Sequence, residues 1–104
     1  MDRKQEQTEA RIAELKAELT ALGRMRPGSL SRQARARGGG YFQVSYSRAG
    51  KLHCDYVRPD YEPVVRAEIQ TYRRYRELTR LWGDLELELS RHRQRLAAGR
   101  QGDP

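Results

Sequence analysis

Between Asp2 and Leu22 the large apolar residues return only at Ile12, Leu15, Leu19 and Leu22. Steps of three and four put them in one narrow stripe along a helix. A stripe that narrow is a seam, and a helix of about twenty residues carrying it is marginal in isolation. The chain must therefore supply a partner helix, from itself or from another molecule. Glu9, Arg11, Glu14, Lys16 and Glu18 occupy the positions between, as expected of a solvated face. Gly23 is the natural C-cap, so the first helical segment is 1–23.

The partner seam lies at the other end of the chain. Arg58-Pro59-Asp60 ends an extended segment, with Asp60 as the expected N-cap and Pro63 tolerated in the first turn. A long helix over 60–98 is predicted, with apolar positions at Val65, Ile69, Tyr72, Tyr75, Leu78, Trp82, Leu85, Leu89 and Leu96, and His92 in the seam. From Leu78 onward the spacing matches a coiled-coil seam long enough to receive the first helix. Residues 99–104 read as a tail.

Between the helices, Arg26-Pro27-Gly28 is turn chemistry, Ser29-Leu30-Ser31 is read as capping a short helical turn, and Gly38-Gly39-Gly40 breaks any element. Residues 24–40 are expected to be a basic connector. Residues 41–57 read as a β-hairpin. Setting Phe42 opposite Tyr56, Val44 opposite Cys54 and Tyr46 opposite Leu52 places all six on one face, with Gln43, Asp55, Ser45 and His53 on the other. The connection is then the three-residue loop Arg48-Ala49-Gly50, with Arg48 and Lys51 at an exposed tip. The fold class is α+β: an elongated α-β-β-α chain, an antiparallel coiled-coil-like helical hairpin with a two-stranded β-hairpin between the helices, in one domain.

Composition narrows the function classes. With 104 residues, 37% hydrophobic and 34% charged, the chain cannot bury a large enzyme core. No apolar run exceeds Leu96–Ala98 and the chain opens Asp2-Arg3-Lys4, so neither a membrane span nor a signal peptide is read and a cytoplasmic setting is expected. A single cysteine, Cys54, agrees with a reducing compartment. It has no adjacent base to activate it as a nucleophile. Glu86 and Glu88, two apart on a helix, face different ways, and the glycine run lacks the Lys-Ser/Thr of a phosphate loop. No catalytic role and no cofactor are expected. Nor is a metal site: His53 and Cys54 are adjacent in a strand and point to opposite faces, leaving His53 exposed and Cys54 buried in the predicted register, and His92 reads as a packed seam histidine.

The net charge is +7, and the segment 24–40 contains five arginines and no acid. Arginine suits bidentate phosphate contacts. Arg24, Arg26, Arg32, Arg35 and Arg37 form an acid-free arm, Arg48 and Lys51 mark the hairpin tip, and Arg66, Arg73, Arg76 and Arg80 fall near one face of the long helix. Tyr72, Tyr75 and the hairpin aromatics offer surfaces on which bases stack. Nucleic acid, DNA ahead of RNA, is the expected partner. The competing class is a protein–protein module or homodimer built through Ile12, Leu15, Leu19, Leu22, Leu78, Trp82, Leu85, Leu89 and Leu96.

Arg26-Pro27-Gly28-Ser29-Leu30-Ser31, Tyr41-Phe42-Gln43-Val44-Ser45-Tyr46, Tyr56-Val57-Arg58-Pro59 and Tyr72-Arg73-Arg74-Tyr75-Arg76-Glu77-Leu78 together resemble an uncharacterised family of short prokaryotic proteins, grouped as a domain of unknown function. The resemblance spans about 26–89. It implies a setting near mobile-element genes and an accessory role in DNA transactions. It also implies a cysteine cluster before the first strand, which this chain lacks between Gln33 and Gly40.

Overall fold

The computed structural model describes residues 2–34 and 38–101. The elements are α1 (Arg3–Ala21), β1 (Ser29–Gln33), β2 (Tyr41–Arg48), β3 (Lys51–Val57), a 3-10 turn (Pro59–Tyr61) and α2 (Glu62–Gln101). The class is α+β, with an antiparallel sheet in the order β1-β2-β3 lying between the helices in sequence. The chain forms two compact units: one holds α1 and the part of α2 from Tyr75 onward, and the other is Gly23–Arg74.

In the helical unit the two seams meet within the chain. Asp2 meets His92, Lys4 meets Glu88 at 3.6 Å, and the Lys16 ammonium lies 5.2 Å from the centre of the Trp82 ring, so the helices run antiparallel. Ile12 and Leu15 of α1 are buried, as are Leu78 and Leu89 of α2. Leu19, Leu22, Trp82 and Leu85 are half-buried at the margins of the seam. Thr8, one step earlier on the same stripe, is buried too and extends the seam toward the start of α1. Asp2 caps α1, its Oδ1 accepting the Gln5 N–H at 3.1 Å. At the other end Leu22 turns extended and its N–H bonds the Leu19 carbonyl, so the helix stops without a left-handed glycine at Gly23.

The sheet unit departs from expectation in three places. First, the basic connector contains a strand: β1 pairs with β2, Leu30 opposite Val44 and Arg32 opposite Phe42. The sheet thus has three strands rather than two, and Ser29-Leu30-Ser31 is extended rather than helical. Alternation of serine with an apolar leucine is the local signal of such a half-buried strand.

Second, the hairpin register is displaced by one residue. Phe42 stands opposite Val57, Val44 opposite Asp55, Tyr46 opposite His53 and Arg48 opposite Lys51. The turn is Ala49-Gly50, with φ of 52° and 76°, two residues rather than three. Positive φ at both central positions matches the right-handed strand twist, which a two-residue connection requires. Because side chains alternate, the one-residue slip carries Leu52, Cys54 and Tyr56 to the opposite face, and Cys54 is exposed rather than buried.

Third, the entry to α2 is a 3-10 turn, and Asp60 is not its cap. The Asp60 carboxylate instead accepts two hydrogen bonds from Arg58, at 2.9 and 3.2 Å. α2 also continues through Gly99 to Gln101. Its first turns place Val65 and Ile69 on the sheet, where they bury Val44 and Val57, with Leu30, Phe42 and Tyr46 packed around them.

Candidate nucleic-acid interface

The sheet's two faces are chemically unlike. One packs on α2. The other carries Tyr41, Gln43 and Ser45 from β2, and Leu52, Cys54 and Tyr56 from β3. Ser31 and Gln33 of β1 continue it, the Gln33 amide donating to Ser31 Oγ at 3.0 Å. Leu52 is 72% exposed and Tyr56 59% exposed. The Tyr41 and Tyr56 rings lie on the diagonal, centroids 6.4 Å apart and planes 39° from each other. No strand residue on this face is a carboxylate. The sequence-predicted register conceals this surface, since it assigns Tyr56 to the packed face. The register turns on the connection being the two residues Ala49-Gly50, and an alanine at positive φ gives no local signal of that turn.

The predicted phosphate-contacting residues divide into three sets. Arg26, Arg66 and Arg80 are engaged by carboxylates: Arg26 Nη2 donates to Asp55 at 3.0 Å, Arg66 pairs with Glu62, and Arg80 with Asp84 at 3.3 Å. Arg24, Arg32, Arg48, Lys51, Arg73 and Arg76 are exposed and, among the described residues, have no carboxylate within 4 Å. Arg35 and Arg37 lie outside the described residues. Arg76 and Arg80 belong to the helical unit and the rest of the described set to the sheet unit. Of the tyrosines proposed to stack, Tyr72 is half-buried and Tyr75 is 38% exposed.

Arg26 has a structural task that its place in a basic run does not reveal. Its backbone N–H donates to the Glu68 carbonyl of α2 at 3.0 Å while its guanidinium holds Asp55, so the segment before β1 is tied to both sheet and helix. The Asp55 carboxylate also favours the protonated Tyr46 phenol, and with burial it raises the Tyr46 pKa. The Tyr46 ring stacks on His53 at 5.2 Å.

His53 and Cys54 point to opposite faces, and Cys54 Sγ lies 3.5 Å from Ser45 Oγ. Among the described residues no three His, Cys, Asp or Glu side chains are grouped as a metal ion requires. Among them too, no helix is long and apolar enough to cross a membrane.

No family model, curated protein or solved structure matches the chain.

Proposed function

We propose that the protein is a non-catalytic nucleic-acid-binding accessory factor of the cytoplasm that engages phosphates through cations of the sheet unit. The observation that carries this reading is the hairpin tip. Arg48 and Lys51 stand directly opposite each other at the exposed turn and have no carboxylate partner among the described residues. An unpaired arginine and lysine at one exposed point form a local positive potential to which phosphates are drawn, with displacement of condensed counterions. Arg32, opposite Phe42 at the other end of β2, and Arg24 are further exposed cations of the sheet unit, and the net charge of the chain is +7.

The partner-module reading has less to stand on. Ile12, Leu15, Leu78 and Leu89 are consumed within the chain, and of the proposed seam only Leu96, 36% exposed, has substantial open surface.

The test is fluorescence anisotropy of labelled DNA and RNA at low and moderate salt. Binding that weakens steeply with salt, and weakens at all sequences when Arg32, Arg35 and Arg37 are replaced together by alanine, supports the reading. Absence of binding at low salt refutes it.

A further inference from the structure

We infer that the open sheet face is a stacking platform for a single strand, with Tyr56 and Tyr41 receiving bases. The inference deepens the nucleic-acid reading and rests on it. Its occupant follows from the chemistry of the face. Two tyrosine rings, one of them mostly exposed, stand side by side among serine and glutamine side chains, and no carboxylate interrupts them. Aromatic rings on a sheet receive bases through π faces, and hydroxyl and amide groups around them bond to base edges.

The spacing selects a strand over a duplex. The ring centroids are 6.4 Å apart. That is nearly twice the rise of about 3.4 Å between stacked bases, so adjacent bases engage one ring each only where their own stack has opened. In a duplex those base faces are already covered. Arg48 and Lys51 alternate to the other face with Val44 and Asp55, so a strand on the tyrosines meets them only where it rounds the end of the hairpin, about 17 Å along β3 from Tyr56. Leu52, 72% exposed between these ends, adds an apolar contact on the same face.

The experiment compares one labelled mixed-sequence oligonucleotide as single-stranded DNA, single-stranded RNA and duplex DNA, by anisotropy, with the whole chain and with Tyr56→Ala, Tyr56→Phe and Leu52→Ser. The expected result is tighter binding of single strands than of duplex, a loss of about five- to hundredfold in Tyr56→Ala, and near-complete retention in Tyr56→Phe. Which of the DNA and RNA strands binds more tightly assigns the natural ligand. Equal binding of strand and duplex, with Tyr56→Ala unchanged, overturns this inference and leaves the phosphate-binding reading standing; absence of binding to all three probes overturns both. A chain that is dimeric by light scattering and becomes monomeric in Leu52→Ser assigns the face to a second copy and also overturns it. Should Tyr56→Ala fail to fold, the strand-against-duplex comparison on the unmodified chain decides.

Discussion

Val44 stands directly opposite Asp55 across β2 and β3, and this pairing decides which face of the hairpin is open. Val44 is fully buried, so Asp55 shares the packed face with it. The carboxylate is tolerated there because Arg26 donates to it and Tyr46 lies against it. With Asp55 turned inward, Cys54 and Tyr56 must turn outward, and the aromatic platform exists for that reason.

The register has a direct stability signature. Val44→Ala should cost about 1–3 kcal/mol, since it removes buried apolar atoms and leaves a cavity. Leu52→Ser, at an exposed site, should fall within about 0.5 kcal/mol of the parent chain. Urea denaturation of both variants checks this. A large loss for Leu52→Ser would restore the register in which Leu52 faces the helix.

That register marks the limit of what the chain discloses before folding. The helical seam was legible because Ile12, Leu15, Leu78 and Leu89 repeat at fixed local spacing. The hairpin was legible as a hairpin for the same reason. Its register was not, because pairing Leu52, Cys54 and Tyr56 with β2 collects more apolar partners than pairing His53, Asp55 and Val57. The group that makes the second choice affordable, Arg26, is 29 residues from Asp55. The arginine-rich surroundings of β1 mask it as a strand, and the same run offers Arg26 as a phosphate contact although its guanidinium is committed to the sheet. The open tyrosine face follows from the register and was lost with it.

Gly28 should resist substitution. Its φ is +138°, and a Cβ there would lie 2.5 Å from Val44 Cγ1 and 3.0 Å from the Ser45 carbonyl oxygen. Gly28→Ala therefore combines backbone strain with a clash against the core, and a loss above about 1 kcal/mol is expected. Gly23→Ala, with nothing within 4 Å and no left-handed backbone, is the control and should be neutral or slightly stabilising. Thermal unfolding of the two variants separates a specific requirement at Gly28 from a general need for glycine.

The start of α1 should respond to acid. Asp2 caps the helix, and its Oδ2 lies 2.6 Å from His92 Nε2. The Gln5 N–H, and after it the hydrogen bond to His92, hold the Asp2 carboxyl below its ordinary value of 3.8. A carboxyl depressed in the folded state contributes stability that is complete above the unfolded value and is lost as pH falls through the folded one. Melting temperature should therefore drop as pH is lowered below the ordinary aspartate range, and Asp2→Ala should flatten that acid limb. An acid limb identical in the variant would remove Asp2 from the explanation.

The hairpin tip should control the salt dependence of binding. Replacing Arg48 and Lys51 together by alanine removes two candidate phosphate contacts without disturbing a carboxylate pair. Affinity should fall about equally across sequences, and the slope of log affinity against log salt should shrink by about two. An unchanged slope would move the phosphate contacts elsewhere on the chain.

The most direct test of the open sheet face uses Cys54, the chain's one cysteine, which is exposed at the centre of that face beside Tyr56. Its rate of alkylation by iodoacetamide is measured with and without a saturating single-stranded oligonucleotide, and again with the duplex. If nucleic acid lies on the tyrosine platform, the single strand should slow alkylation sharply and the duplex should protect much less; a thiol that reacts at the same rate with the strand bound would contradict the assignment of the site to this face.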